Sequence, residues 1–151
     1  GLETVSLRYF NVFGPRQNPE SKYSAVIPMF IFKMLKGESP VVDWDGKQSR
    51  DFTYVANVVE TNLRACVTPG ISGEVFNVAC GATISIIDIV NELNRLLGTK
   101  IRPAFAPKRH GDVRKTYADI RKIKNLLKIK KMAQFEQGMK LTVAWFQNNN
   151  G

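Results

Sequence analysis

Few residues in this chain of 151 could do chemistry. His110 is the only histidine, which leaves little for a histidine-based metal site or a Ser-His-Asp triad. Gly70-Ile71-Ser72-Gly73 reads as a turn, not as a G-x-S-x-G elbow. Neither G-x-x-x-x-G-K-[ST] nor G-x-G-x-x-G occurs. Asp43 and Asp45 flank a turn, where aspartate is common for local reasons, and no carboxylate pair announces acid–base work. What remains is polar and cationic. Asn11 sits inside the apolar run "LRYFNVFGPRQ", and an amide buried there without a partner costs roughly 1–3 kcal/mol. Arg50 stands in "SRDF" and Arg114 in "GDVRK". Arginine presents a planar fork of donors that stays protonated. Two arginines and an amide converging from distant segments would hold a multiply charged anion, each bond to a charged group being worth roughly 1.5–3 kcal/mol. The chain carries pieces of a binding site and no catalytic engine.

The charge points the same way. The formal net charge is +9, and it is uneven. Twelve Lys or Arg lie between Thr99 and Lys131 against two acids, Asp112 and Asp119. Such a field attracts anions, although most of these charges are expected to be solvated surface. A small basic nucleic-acid-binding module is a competing class, but no RNP-like, KH-like or zinc-finger pattern is present and aromatics do not interleave with the cluster. No apolar run approaches the ~20 residues of a membrane span. The opening Gly-Leu-Glu-Thr is no signal peptide. Cys66 and Cys80 form no C-x-x-C pair, so a reduced, cytoplasmic setting is expected.

These residues need elements to position them. Val5 to Phe10 reads as a buried strand ending at Gly14-Pro15, and Pro19-Glu20-Ser21 as a loop. Ile27, Phe30, Ile31, Met34 and Leu35 recur at helical spacing, with Gly37 as the stop. Val41-Val42-Asp43 predicts a short strand, Asp45-Gly46 a hairpin turn, and Arg50 to Val55 the return strand. Val55, Val58, Val59 and Leu63 predict a second helix, stopped by Pro69-Gly70. Glu74 to Ala79 alternates like a strand. Ser85 and Asp88 form a capping box for a helix bearing Ile86, Ile89, Val90, Leu93, Leu96 and Leu97. Ile101 to Ala106, with Pro103, predicts an edge strand. A basic helix over 118–127 and a last helix through Phe135, Met139, Val143 and Phe146 follow, with a fraying Asn-rich tail. The pattern is α/β without an internal boundary.

Five stretches come in order: "LRYFNVFGPRQ", "YSAVIPMFI", "DGKQSRDFTYV", "GEVFNVACG" and "GDVRKTYAD". Together they resemble the C-terminal half of the extended short-chain dehydrogenase/reductases, above all the UDP-glucose and UDP-N-acetylglucosamine 4-epimerases. The resemblance implies an α/β, Rossmann-type enzyme whose Gly-rich cofactor-binding half is absent here. Residues 1–14 would be the last part of the dinucleotide-binding domain, and 15–151 the nucleotide-sugar-binding domain, some of whose elements would pack on the missing half. The family's Tyr-x-x-x-Lys is missing too, because Phe13, Ile27, Val58 and Arg121 stand four residues after Tyr9, Tyr23, Tyr54 and Tyr117. No catalytic residue and no metal ligand is therefore expected in this chain. The parent would be an NAD-dependent 4-epimerase, moving a hydride from C4 to NAD and back to the other face. A nucleotide-sugar 4,6-dehydratase is the alternative.

The resemblance also implies roles residue by residue. Asn11 would bind the diphosphate side of a nucleotide sugar such as UDP-glucose, UDP-galactose or a UDP-N-acetylhexosamine. Tyr9 would border the nicotinamide. Ala25, Val26 and Phe30 would wall the base, and Val42 and Asp43 would run along the uridine. Arg50 and Arg114 would grip the pyrophosphate. Two departures are visible: Trp44-Asp45-Gly46 where the family usually has Gly-Asp-Gly, and Ala56-Asn57 where it usually has an acidic pair. The parent is expected to be a homodimer, and the chain alone to self-associate through Leu7–Val12 or to leave that region poorly ordered.

Overall fold

The computed structural model describes residues 1–20 and 25–149. Ser21, Tyr23 and Ser24, named above in a loop and a motif, lie outside the described residues, as do Asn150 and Gly151 of the tail. The elements are β1 (Ser6–Tyr9), β2 (Val12–Phe13), α1 (Val26–Leu35), β3 (Val41–Asp43), β4 (Ser49–Arg50), β5 (Thr53–Tyr54), α2 (Val55–Val67), β6 (Val75–Val78), β7 (Ile84–Ser85), α3 (Ile86–Leu97), β8 (Ala104–Ala106), α4 (Arg121–Leu126) and α5 (Phe135–Asn149). Among the described residues no helix is long and apolar enough to cross a membrane.

The strands pair two by two. Parallel pairs join β1 to β6, β2 to β5 and β3 to β8, and an antiparallel pair joins β4 to β7. The expected hairpin across Asp45-Gly46 does not form. A two-residue hairpin turn of the favoured type needs positive φ at both central residues. Here Trp44 and Gly46 take positive φ, 57° and 70°, and Asp45 between them does not. The chain leaves β3 for another sheet, and the expected return strand is broken into β4 and β5 around buried Asp51 and Phe52.

The opening strand is also broken. Asn11 has φ 36°, a conformation that Asn tolerates better than most residues, and it separates β1 from β2. Asn11 is exposed and β1 is mostly exposed, against the expectation of a buried strand and a buried amide. The physical reason is that β1 has one neighbour, β6, and its other edge is free among the described residues. The last helix runs further than expected: Asn148 and Asn149 belong to α5, and Asn149 Nδ2 donates to the Trp145 carbonyl.

Two apolar cores result. The first lies under α1, α3 and α5 and holds Phe13, Phe30, Val42, Leu93, Met139 and Phe146. Fully burying such a side chain contributes about 1.5–3 kcal/mol. α3 enters this core with the expected cap: Ser85 Oγ accepts from the Asp88 N–H, and Gly98 closes the helix at φ 67°. α5 can approach β2 and β5 because Gly138 has no Cβ; one there would stand 2.8 Å from the Tyr54 ring and 2.9 Å from Phe13. The second core holds Phe76, Val78, Ile123, Leu127 and Val58, between β6, α4 and α2.

Candidate functional site

A cleft of about 270 Å³ opens where Asn11, between β1 and β2, meets β3, β4, the start of α1 and the 107–113 loop. One wall is apolar: Ala25, Val26, Met29 and Phe30 from α1, with Phe52 and Ile86 behind. The amphipathic spacing of α1 turns Phe30, Ile31 and Met34 into the core and leaves Val26 and Met29 partly open to the cleft. The other wall is polar: Asn11, Asp43, Gln48, Arg50, Arg109 and Asp112.

Each arginine at the cleft already faces a carboxylate. Arg50 forms an ion pair with Asp112, and its Nη1 donates to the carbonyls of Val113 (2.8 Å) and Ser49 (2.9 Å). Both side chains of that pair are 18% exposed, so solvent screens them less than a surface pair. Arg109 Nε lies 2.7 Å from the Asp43 carboxylate. The Asn11 amide donates to the Asp51 carbonyl at 2.9 Å. Gln48 is nearly buried; its Nε2 donates to the Asp43 carbonyl, while its Oε1 has no partner among the described residues.

Asp51 organises the floor. It is fully buried, and its carboxylate accepts from the N–H groups of Cys80 (2.9 Å) and Gly81 (3.0 Å). Desolvation pushes its pKa up from the ordinary 3.8, and the N–H bonds from Cys80, Gly81, Ala118 and Ala82 oppose that rise. Successive side chains on an extended segment point to opposite sides. Anchoring Asp51 inward therefore aims Arg50 outward at the cleft. The Cys80 thiol beside it is also pushed up, by desolvation and then by the Asp51 charge. Cys66 and Cys80 are both free.

The structure brings six of the residues named from sequence to this cleft: Asn11, Ala25, Val26, Phe30, Asp43 and Arg50. Three lie elsewhere. Val42 points into the first core, and its neighbours Val41 and Asp43 face the cleft. Tyr9 lines a different cleft of about 580 Å³ beside α2, where its hydroxyl donates to Asn62 Oδ1 at 3.1 Å. Arg114 is outside the lining; its Nη1 donates to both oxygens of Asp45, at 2.8 and 2.9 Å, and its guanidinium stands over the Trp44 ring. Burial pushes the Asp45 carboxyl up, but the Arg114 and Lys47 contacts outweigh it, so its pKa falls below 3.8.

Sequence reasoning missed Arg109, Asp112, Met29, Phe52 and Gln48. Arg109 and Asp112 lie in the "KRHGDVR" stretch whose last arginine was selected instead. Three arginines or lysines crowd that segment, and only the Asp43–Arg109 and Arg50–Asp112 pairs, made across the fold, single out the ones that reach the cleft. Other members of the basic cluster are paired at the surface, Arg121 with Asp119 and Lys122 with Glu74. No metal-holding group of His, Cys, Asp and Glu occurs among the described residues.

The comparisons with known proteins agree with each other. The family model described as the NAD dependent epimerase/dehydratase family matches residues 1–79. A putative UDP-glucose 4-epimerase of Methanocaldococcus jannaschii is 36% identical over 150 residues, 99% of this chain and 48% of that protein. The structure of a UDP-N-acetylglucosamine 4-epimerase from Methanobrevibacter ruminantium M1, in complex with UDP-N-acetylmuramic acid, superposes with a TM-score of 0.90 at 39% identity. That match covers 97% of this chain and 47% of the other. A Thermotoga maritima UDP-glucose 4-epimerase with UDP-glucose gives 0.93 at 36% identity, covering 99% and 48%. The chain thus spans about half the length of the relatives it matches.

Proposed function

The chain belongs to the NAD dependent epimerase/dehydratase family, and from that premise we propose that its cleft holds the nucleoside diphosphate part of a UDP-hexose. The parent enzyme would be an NAD-dependent nucleotide-sugar 4-epimerase, of which this chain forms one part. The observation that carries the reading is the convergence of Asn11, Arg50 and Arg109 beside an apolar wall of Val26, Met29 and Phe30. Bidentate arginines match the geometry of phosphate oxygens, and a flat base suits the apolar wall. Asp43 and Asp112 hold the arginines in place and keep lone pairs for sugar hydroxyls. The same cleft would serve a nucleotide-sugar 4,6-dehydratase, which the family description also covers.

NAD, when bound, would supply the hydride acceptor of the reaction. The residues present do not fit a whole dinucleotide. The sequence has no Gly-rich turn for a pyrophosphate, and Tyr9, matched to the nicotinamide border, opens on the other cleft. No hydride step is assigned to these residues. On this reading residues 1–14 close the dinucleotide-binding domain, α2 and β6 of the nucleotide-sugar-binding part pack on that domain, and the parent is a homodimer. The 151-residue chain alone is expected to leave UDP-glucose and UDP-galactose unconverted, as measured by chromatography of the two sugars; conversion would overturn that assignment.

Calorimetric titration of the full-length parent with UDP tests the site. Arg50→Ala or Arg109→Ala is expected to weaken binding by about 1.5–3 kcal/mol each. Lys124→Ala, on the exposed side of α4, is expected to change it by less than about 0.5 kcal/mol. Equal losses at Arg50 and Lys124, or displacement of UDP by a random oligonucleotide, would defeat the proposal.

A further inference from the structure

Trp44 takes φ 57°, a left-handed conformation that glycine adopts freely and a bulky side chain rarely does. Its N–H donates to the Ala106 carbonyl at 2.8 Å, at the point where β8 ends and the 107–113 loop begins. Lys108 Nζ stands 4.2 Å from the centre of its ring, and Arg114 Cζ 4.5 Å. Lys108 and Arg114 bracket the stretch that carries Arg109 and Asp112. The Arg114 contact is itself braced by Asp45, the next residue after Trp44. One aromatic ring thereby gathers both ends of the loop. Apolar packing does little there, since 107–111 and Val113 to Lys115 are exposed.

The loop is also held by the pairs Arg109–Asp43 and Arg50–Asp112, which lie in the cleft, by Arg50 Nη1 donating to the Val113 carbonyl, and by the Ser49 N–H donating to the Arg114 carbonyl at 2.9 Å. An anion entering the cleft competes for those arginines, so the pairs weaken as ligand binds. Trp44, Lys108 and Arg114 are not part of the cleft lining, so the ring contacts use none of the groups that a ligand there would engage. We propose that Trp44 is a positioning residue that pins the neck of the 107–113 loop and so keeps Arg109 and Asp112 on the cleft. The pin stands on this geometry; the ligand it serves rests on the nucleotide reading above.

Trp44→Gly removes the ring and relieves the backbone, so a fall in overall stability does not confuse the result. Hydrogen exchange of the Asp112 and Thr116 amides, which donate to the Arg109 and Ser49 carbonyls, is expected to quicken about tenfold without ligand, the size set by two exposed cation–π contacts. UDP binding to the full-length parent is expected to weaken by about the same factor, and Trp44→Tyr, which keeps an aromatic face, to recover most of both. Unchanged exchange at Asp112 and Thr116 in Trp44→Gly overturns the pin. Quickened exchange with unchanged UDP affinity overturns its positioning role. Failure of the unsubstituted parent to bind UDP overturns the nucleotide reading instead, and the exchange result still decides the pin.

Discussion

α2 and α3 are helices of similar length and similar apolar patterning, and they end up in different surroundings. On α3, Ile89, Val90 and Leu93 are at most 1% exposed. On α2, Val58 is buried, but Val59, Leu63 and Val67 are 53%, 60% and 76% exposed. These three recur every four residues, as one face of a helix does. The larger cleft is lined from α2 by Asn62, Ala65 and Cys66 instead, with Leu7 and Tyr9 of β1 also in its lining. α3 meets α1 and α5, whereas α2 meets β5 and β6 and presents its outer stripe to solvent. An apolar stripe states that a face wants cover; it does not state what covers it. The relatives this chain matches are about twice as long.

The sharpest way to break the comparison is truncation on each face. Leu93→Ala is expected to cost about 2–5 kcal/mol of stability in urea, because it opens a cavity in a closed core. Leu63→Ala, measured on the monomer at concentrations below any self-association, is expected to stay within about 0.5 kcal/mol. Equal losses would mean that α2 is covered in solution.

A second experiment asks what covers it. Parallel strands are ordinarily buried on both faces, and a free edge is a template for association. The 151-residue chain is therefore expected to self-associate through the β1 edge and the α2 stripe. Sedimentation velocity over a concentration series would reveal it. Leu63→Asp with Val67→Asp is expected to weaken association at least about tenfold, since each buried apolar side chain contributes about 1.5–3 kcal/mol. A monomer whose β1 amides are strongly protected from exchange would refute the idea.

The helix starts differ as well. α3 has the Ser85 cap and an acid, Asp88, in its first turn; α2 has neither a side-chain cap nor an acid there. Ser85→Ala is expected to destabilise by about 1 kcal/mol. Ala56→Asp, at an exposed position in the first turn of α2, is expected to stabilise by about 0.3–1 kcal/mol through the helix dipole. Asn57 is no candidate for the same change, because its amide bonds both the N–H and the carbonyl of Ala133. Thermal midpoints of the two variants rank the effects.

Local physics was legible in the residues. The α3 cap and the α1 and α5 stripes depend on neighbours within a few positions, and all formed where their spacing said. The misreadings depended on distant partners. Asp45-Gly46 looked like a hairpin, yet β3 found β8 and β4 found β7. The opening run looked like one buried strand, yet Asn11 turns it and only β6 flanks β1. At the cleft, residue type singled out arginine, but that Arg109 lines it while Arg114 turns to Asp45 depends on where Asp43 and Asp45 stand in space. The family resemblance names Val42 together with Asp43, yet strand alternation turns the Val42 side chain away from the cleft that Val41 and Asp43 line.

The smallest effect separates the two carboxylates nearest the second core. Asp119, at the start of α4, accepts from the Arg121 side chain and N–H, and these bonds lower its pKa from 3.8 to about 2. The native state thus binds this proton less readily than the unfolded chain. Its contribution is fully present above the unfolded value and is lost as pH falls from 3.8 towards 2. Asp51 runs the other way: desolvation raises its native pKa, so its native form takes up a proton first and gains relative stability as pH falls towards 3.8. Urea midpoints followed from pH 5 to pH 2 are therefore expected to decline less steeply in Asp119→Asn than in the unsubstituted chain below pH 4, and Asp51→Asn to remove the opposing trend. The NMR titration of the Asp119 carboxyl is the direct check: a midpoint near 2 is expected, returning towards 3.8 in Arg121→Ala. A midpoint that stays put in that variant would mean that Arg121 does not hold the start of α4, and that the second core fixes this helix by packing alone.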